Sequence, residues 1–554
     1  MGRTVNIGAQ SFVDMREHGD FMVDKTSFVR DWWLSRDQIT LITRPRRFGK
    51  TLNLSMVEAF FSTKYAGRAD LFEGLAVWDD PQMRALQGTV PVVFVSFADV
   101  KGSTYGGMLR AIRDSVAEAF DRHGYLEESP ALTQAQRERY ALLRDSRADD
   151  ADLPRSLRLL CSLLERHWGA RPIILLDEYD TPMQEAWARG FWNEASDFMR
   201  ELFNSTFTTN DHLGRALLTG ITRVAKESIF SDLNNLEVVT TTSESYETAF
   251  GFTEAEVFSA MDEMGLADRE GVKRWYDGFV FGRTADIYNP WSVTNYLKKG
   301  RLDPYWADTS GNALVSECIA RGDWRLKEDF KTLLEGGTVT RDVDEQVVFQ
   351  LLPGDPDAVW GLLLATGYLK CTDFPEGGGR SRTLSVTNYE TAYMFDRMVE
   401  GWFRFTRSSY GDFCDAMLVG NAGGMDSYLA RVARDTFSFF DTGGDEPERF
   451  TCGFVLGLVV RLRGRYFVES NREGGDGRFD VALTPRDPGR DPGVVLEFKT
   501  CDRGENLGDA ACDALGQIAE KRYVDDLVAH GVPAERIHRY GVAFCGKESL
   551  VKGA

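Results

Sequence analysis

Short apolar runs alternate with longer amphipathic segments through the first half of the chain. Each run is rich in Val, Ile or Leu and is bounded by polar or turn residues; the runs lie at residues 39–43, 91–97, 173–176 and 216–220. Such runs are typical of strands that are buried on both faces, and the intervals between them carry helical patterns. The pattern therefore predicts an α/β fold, with a parallel sheet that is covered by helices on both faces.

The pattern changes twice further along the chain. From about residue 250 to about residue 440 it is mainly helical, with aromatic-rich segments. A stretch rich in glycine and acids, residues 442–448, reads as a linker or turn before the last domain. After it the pattern predicts strands near residues 466–470, 478–483, 493–498 and 537–545 and a helix near residues 507–530. We expect three parts, at residues 1–245, 246–440 and 441–554.

The composition is that of a folded protein with several domains. The 554 residues exceed what one core usually holds, and a content of 43% hydrophobic and 27% charged residues is ordinary. No apolar run is long enough to cross a bilayer, and the eight cysteines and six histidines show no disulfide or zinc spacing, so we expect a cytoplasmic protein without a membrane partner. The net charge of −20 argues against nucleic-acid binding over the whole surface, but not against a local basic groove.

The residues after the first apolar run indicate a phosphate-binding loop. The segment LITRPRRFGKTLNLSM places Gly49, Lys50 and Thr51 between a strand and an apolar helix. In such a loop, backbone amides at a helix N-terminus surround the phosphates, the lysine neutralises their oxygens and the threonine ligates magnesium. Arg44 stands where the usual pattern has its first glycine. A basic turn that opens an ordinary helix is the alternative interpretation.

Two acids end the third apolar run. In a P-loop ATPase an aspartate at the position of Asp177 holds magnesium, usually through water, and a glutamate at the position of Glu178 orients the attacking water. A solvated acidic turn would explain these acids alone, but their order relative to the GKT segment favours a site for ATP or a related nucleotide. Arg223, which follows the fourth run, is a candidate for stabilising the transferring phosphate, or else a surface arginine.

The C-terminal strands carry a second set of candidate residues. Asp480 lies within the apolar segment RFDVAL, where an unpaired acid is costly. Glu497 and Lys499 are two residues apart in the next strand, and therefore on one face. The turn-rich connection predicts a hairpin that brings Asp480 beside Glu497, so that two carboxylates hold Mg²⁺ and the lysine orients the water of a phosphodiester hydrolysis. A strand pair with ordinary salt-bridged charges is the alternative.

Several segments of the first half resemble the AAA-ATPase-like family of bacterial and archaeal proteins. They are FMVDKTSFV, LITRPRRFGKTLNLSM, ILLDEYDTP and LLTGITRVAKESIFSDLNNL, while YETAFGFTEAEV and WYDGFVFGRTADIYNPWSV are similar to the helical lid of that family. The RPRRFGKT form is usual there. The resemblance implies a P-loop ATPase core with a helical lid and middle region. It also implies nucleotide binding by residues 49–51, with Asp177 as the magnesium acid and Glu178 as the catalytic acid.

The last segments resemble the PD-(D/E)XK nuclease superfamily. They are SNREGGDGRFD, VVLEFK and ALGQIAEKRY. The resemblance implies a small restriction-endonuclease-like α/β domain in which Asp480 and Glu497 are the metal carboxylates and Lys499 is the catalytic lysine. Mn²⁺ is an alternative to Mg²⁺ at such a site. Gln517 and Lys521, one helical turn apart, are then expected near the metal and the nucleic-acid backbone, or else form an exposed helix face.

Together these features suggest an ATP-gated, metal-dependent nuclease that acts on DNA. One alternative is a nucleotide-switched signalling or scaffold protein whose nuclease-like domain binds nucleic acid without cutting it; another is a plain ATPase with an accessory fold. Self-association is expected of AAA-like ATPases, although no sequence feature measures it. The tryptophans, Trp291 among them, are interpreted as packing residues rather than as base-stacking platforms.

Overall fold

The chain forms two compact units. The computed structural model describes residues 3–224, 229–230, 233–307, 315–316, 318–319, 324–347, 356–373, 380–403, 410–436, 462, 465–474, 477–500, 506–521, 524–545 and 548–554. One unit comprises Met1–Arg321 and Gly336–Ala392, and the other comprises Gly322–Glu335 and Tyr393–Ala554. The predicted linker at residues 442–448 lies outside the described residues. The domain limits drawn from the sequence stay predictions.

Both units contain helices and strands. The described α-helices are α1 (Phe12–His18), α2 (Ser27–Ser35), α3 (Lys50–Phe61), α4 (Pro81–Leu86), α5 (Tyr105–Asp121), α6 (Gln134–Arg144), α7 (Ser156–Trp168), α8 (Thr181–Arg189), α9 (Trp192–Phe203), α10 (Glu254–Met264), α11 (Arg269–Tyr276), α12 (Pro290–Lys299), α13 (Trp324–Leu334), α14 (Pro356–Ala365), α15 (Tyr389–Phe403), α16 (Tyr410–Leu418), α17 (Ala422–Thr436), α18 (Leu507–Glu520) and α19 (Val524–Ala529). The described strands are β1 (Ile39–Thr43), β2 (Val92–Ser96), β3 (Ile173–Asp177), β4 (Arg215–Gly220), β5 (Arg223–Val224), β6 (Leu236–Val239), β7 (Phe252–Thr253), β8 (Phe279–Phe281), β9 (Thr284–Tyr288), β10 (Val339–Asp342), β11 (Gln346–Val347), β12 (Leu369–Cys371), β13 (Ser381–Val386), β14 (Tyr466–Gly474), β15 (Gly477–Pro485), β16 (Gly493–Thr500), β17 (Ile537–Cys545) and β18 (Glu548–Gly553).

A parallel five-stranded sheet lies at the centre of the first unit, as predicted. Its order is β2-β3-β4-β1-β6, and every neighbouring pair is parallel. All residues of β1 and β3 are buried, which explains why these strands read as uninterrupted apolar runs. Because β4 lies between β1 and β3, the carboxyl ends of these three strands meet at one edge of the sheet.

Apolar packing of α1, α2 and α3 against this sheet forms the main core of the first unit. Trp32, Phe60, Ile42, Leu175 and Leu217 belong to one buried cluster. Burying each such side chain fully contributes about 1.5–3 kcal/mol relative to leaving it in water. This packing fixes α3, and with it the loop that precedes α3, against the edge of the sheet.

The middle region contains strands as well as helices. The strands β7, β9 and β8 form one three-stranded antiparallel sheet, and β10, β13 and β12 form another. The interpretation as mainly helical missed these strands because several have only two or three residues, too few to show a period of two. The helices carry clear start signals: a capping box of Thr253 and Glu256 opens α10, and Asn289 before Pro290 opens α12.

The second unit is built on a mixed five-stranded sheet. Its order is β14-β15-β16-β17-β18, with β16 and β17 parallel and the other pairs antiparallel. Helix α18 packs on β16 and β17, and α17 packs on β18. The predicted helix at residues 507–530 is two helices, α18 and α19, and the predicted strand at residues 537–545 matches β17. Across the described part of the chain, no helix has both the length and the apolar character that crossing a bilayer requires.

We predict that His123 makes the protein less stable as the pH falls. His123 follows α5 and is 8% exposed, and its Nδ1 lies 2.9 Å from the hydroxyl of Tyr125. Burial lowers the pKa of His123 from 6.5 to about 4. The unfolded chain therefore binds the proton more readily than the folded chain, and stability is lost as the pH falls through the window from 6.5 to about 4.

Urea unfolding at pH 7.5 and 4.5 measures this effect. In His123→Gln, the loss of unfolding free energy between the two pH values should be smaller than in the natural chain by about 3 kcal/mol. His18→Gln is the control for replacing histidine by glutamine, because His18 is exposed. Equal pH dependence in all three proteins would contradict the assignment.

Candidate functional site

The loop between β1 and α3 has the backbone of an anion-binding site. Arg47 has φ 67° and Gly49 has φ 76°, so two residues of this short loop are in the left-handed region. Turns of this kind let successive backbone amides surround an anion, and the N-terminus of α3 adds the positive end of its dipole. A Cβ added at Gly49 would meet no atom within 4 Å, so the backbone conformation, rather than lack of space, favours glycine there.

Lys50 is held inside this loop. Its side chain is buried, and Nζ donates hydrogen bonds to the carbonyl oxygens of Arg44 (3.0 Å) and Pro45 (3.1 Å). Nζ also lies 3.9 Å from a carboxylate oxygen of Glu178. The ammonium group is therefore held beside the anion-binding turn by these contacts.

Two threonine hydroxyls converge on Asp177. Thr51 Oγ1 donates to Asp177 Oδ2 and Thr219 Oγ1 donates to Asp177 Oδ1, each at 2.5 Å. Asp177 is 2% exposed, and burial, together with the nearby charge of Glu178, raises the pKa of Asp177. The three groups come from the start of α3 and the ends of β3 and β4. Hydroxyl and carboxylate oxygens are the donors that Mg²⁺ prefers, so these residues fit a magnesium ion.

A cavity of about 830 Å³ opens over these groups. Lys50, Thr51, Asp177 and Glu178 line it at one end, and Trp291 lines it together with residues of the N-terminal segment. The interpretation of Trp291 as a packing residue was incomplete, because Trp291 faces the cavity as well. Its ring stacks under the guanidinium of Arg47, whose Cζ is 4.4 Å from the ring centroid.

Arg44 lies beneath the loop and does not line the cavity. It is fully buried, and its Nη1 donates to the carbonyl oxygens of Thr43 (2.9 Å) and Thr240 (2.7 Å). Its Cζ lies 4.6 Å from the ring centroid of Phe281, and burial lowers the pKa of Arg44 to about 9. The arginine at the usual glycine position thus joins the ends of β1 and β6 through their carbonyl groups.

Sequence reasoning did not single out Asp180. Asp180 is fully buried, and its Oδ2 accepts hydrogen bonds from the amides of Ile221 (3.1 Å) and Thr222 (2.8 Å). It therefore fixes the turn after β4, beside Thr219. The signal was the second aspartate of the DEYD segment, three residues after Asp177. Arg223 lies on β5, opposite Gln346, and is not among the described residues that line the cavity; its predicted role stays a prediction.

The second unit brings its candidate residues to adjacent strands. Val481 pairs with Leu496 in the antiparallel register of β15 and β16, and Asp480 and Glu497 are the residues next to this pair on the two strands. Glu497 is 3% exposed and accepts a hydrogen bond from Nε2 of Gln517 on α18.

The remaining two candidates of this unit lie nearby. Lys499 is half-buried, two positions after Glu497 on the same strand, and therefore on the same face of the sheet. Lys521 caps the C-terminus of α18, where its amide donates to the carbonyl oxygen of Gln517 (3.0 Å). Glu497 and Lys499 thus share one face of β16, and Gln517 contacts Glu497.

Comparison with known proteins identifies a family for each of two parts of the chain. The sequence model of the predicted AAA-ATPase family matches residues 6–230, and that of the PD-(D/E)XK nuclease superfamily matches residues 446–553. The chain is also 30% identical, over 566 aligned positions, to a protein of Azotobacter chroococcum mcd 1 described as "Uncharacterized protein in vnfD 5'region". That alignment covers 99% of this chain and 97% of the relative. The chain belongs to the AAA-ATPase-like family and carries a C-terminal domain of the PD-(D/E)XK nuclease superfamily.

We predict that Gly220→Ala destabilises the first unit. Gly220 ends β4, and an added Cβ would lie 2.6 Å from the ring of Tyr179 and 2.7 Å from Oδ1 of Asp180. Both neighbours are fully buried and cannot move aside, so the substitution should lower the unfolding free energy by about 1–3 kcal/mol. Urea unfolding measures it. Gly106→Ala on α5, where no atom lies within 4 Å, is the control and should be neutral or slightly stabilising; equal losses would contradict the steric explanation.

Proposed function

We propose that this protein is an ATP-gated, Mg²⁺-dependent nuclease that hydrolyses phosphodiester bonds of DNA. The observation that carries the proposal is the convergence of Thr51 and Thr219 on Asp177 beside Lys50 and a loop with left-handed turns. The second unit supplies the hydrolytic part, with Asp480 and Glu497 next to the Val481–Leu496 pair on two adjacent strands.

The first unit fits a nucleoside triphosphate. The loop amides and Lys50 bind the phosphates, while Thr51 and Asp177 hold magnesium, which neutralises charge on the phosphate oxygens. Glu178 lies at the cavity and orients the attacking water. The cavity extends past the loop to Trp291, which leaves room for a nucleoside beyond the phosphates. A cavity of about 830 Å³ lies within the ordinary range for small-molecule sites.

The second unit fits a metal-dependent phosphodiesterase. Glu497 is buried, so an ionised carboxylate there needs partners, and Gln517 supplies one hydrogen bond. We propose that Asp480 and Glu497 hold the metal ion, which activates a water molecule, and that Lys499 stabilises charge on the phosphate. Gln517 and Lys521 then lie on the helix that faces the nucleic-acid backbone. We further propose that the protein is cytoplasmic and self-associates.

The nucleotide half is tested with Lys50→Ala and Glu178→Gln. Lys50→Ala should weaken ATP binding at least about 100-fold, because a buried cation that faces the phosphates is lost. Glu178→Gln should keep ATP binding but lower the hydrolysis rate roughly 100-fold or more, because the group that orients water is lost. Isothermal titration and a phosphate-release assay measure the two effects. Lys64→Ala, at a lysine that does not line the cavity, is the control, and ATP binding unaffected by Lys50→Ala would refute the site.

The nuclease half is tested with Lys499→Ala and Asp480→Asn. Both variants should lose DNA cleavage in Mg²⁺ or Mn²⁺ while ATP binding stays unchanged, since the nucleotide residues are all in the first unit. Arg490→Ala removes an exposed positive charge from the same unit and should cut normally. Cleavage is measured on single- and double-stranded DNA and on RNA, with and without ATP. If the natural chain binds nucleic acid and cuts none under any of these conditions, a nucleotide-switched binding protein is the correct description.

A further inference from the structure

A chain of hydrogen bonds leads from the phosphate-binding loop into the core. The indole Nε1 of Trp306 donates to the carbonyl oxygen of Arg46, which is part of the loop (3.1 Å). The backbone amide of Trp306 donates to Oε1 of Glu390 (2.6 Å), and the hydroxyl of Ser292 donates to Oε2 of Glu390 (2.8 Å). Neither Trp306 nor Glu390 is among the described residues that line the cavity. One carboxylate thus connects the loop, through Trp306, with α12, the helix that carries Trp291.

Burial makes this connection stiff. Trp306 is 1% exposed and Glu390 is fully buried. The ring of Trp306 packs between Phe279, at 5.9 Å between ring centroids, and Tyr368, at 5.3 Å. A carboxylate removed from water is stable only while its hydrogen-bond donors stay in place. Displacement of the loop carbonyl therefore disturbs Trp306 and, through its amide, Glu390.

Glu390 lies in the first turn of α15, a turn that the first unit holds firmly. Asn388 caps the helix by accepting a hydrogen bond from the amide of Thr391 (3.0 Å). Tyr389 packs edge-on against Trp275, with 4.7 Å between ring centroids. The helix continues past Ala392, the last residue of the first unit, into residues of the second unit. The start of α15 is thus joined to the loop by Glu390 and to the second unit by the chain itself.

We propose that Trp306 and Glu390 form a latch through which nucleotide occupancy of the loop regulates the start of α15. The proposal rests on the proposed nucleotide-binding function and assigns both residues as positioning residues. Because coupling between two sites is reciprocal, the latch raises nucleotide affinity by the same factor by which bound nucleotide stabilises the first turn of α15.

Nucleotide titration of the full-length protein tests the first consequence. Trp306→Phe keeps most of the ring packing but removes the indole donor to Arg46, so the Kd for ATP in Mg²⁺ should rise roughly three- to tenfold. Trp32→Phe is the matched control, because Trp32 is equally buried and its indole donates to Thr40 (3.1 Å) at the other end of β1. Glu390→Ala should raise the Kd for ATP as Trp306→Phe does. Glu390→Gln, whose amide can accept from Trp306 and donate to Ser292, should bind within about twofold of the natural chain.

Hydrogen exchange separates the latch from a general structural effect. In the natural chain and in Trp32→Phe, ATP should slow amide exchange at residues 389–392. In Trp306→Phe at saturating ATP, these residues should lose this protection, while the amides of α3 should still be protected. Suppose that the natural chain binds ATP and that Trp306→Phe and Trp32→Phe have the same Kd and the same exchange protection as the natural chain. The latch is then refuted, and the nucleotide site stands. If the natural chain binds no nucleotide, both proposals fall together. Should Glu390→Ala not fold, Trp306→Phe and Glu390→Gln still decide the outcome.

Discussion

The site of the first unit depends on one buried carboxylate at the end of β3. Asp177 is nearly inaccessible to water, and the hydroxyls of Thr51 and Thr219 satisfy its two oxygens. Leaving either oxygen without a partner in this environment would cost about 1–3 kcal/mol or more, so the three strand and helix ends are held in one arrangement. The geometry that suits magnesium is therefore part of the folded core.

Three more buried polar groups of the first unit are held by hydrogen bonds, as Asp177 is. Arg44 is tied to the carbonyl ends of β1 and β6, Asp180 holds the turn after β4, and Glu390 receives donors from Trp306 and Ser292. Each group is removed from water and kept by specific partners, so each tolerates few arrangements of the surrounding backbone. These hydrogen-bonded groups support the phosphate-binding loop. Its shape consequently depends on residues far from it in sequence.

In the second unit, strand pairing positions the candidate residues. The register of β15 and β16 pairs Val481 with Leu496, the neighbours of residues 480 and 497, and the two-residue period of β16 places Glu497 and Lys499 on one face. A slip of one residue would separate these positions, so the antiparallel ladder and its buried apolar neighbours define the site. The hydrogen bond from Gln517 on α18 then orients Glu497. Both units thus use secondary structure packed into a core to position carboxylates.

The sequence by itself determined what depends on local order and period. The buried strands show as apolar runs, the GKT segment lies at a strand-to-helix turn, and the spacing of Glu497 and Lys499 implies a shared face. The family resemblance added roles to these residues. Only the tertiary structure decided which strand lies between β1 and β3, that Arg44 points into the core, and that Glu390 contacts Trp306, 84 residues earlier in the chain. These contacts arise from packing between distant segments, and periodicity carries no information about which distant segments meet.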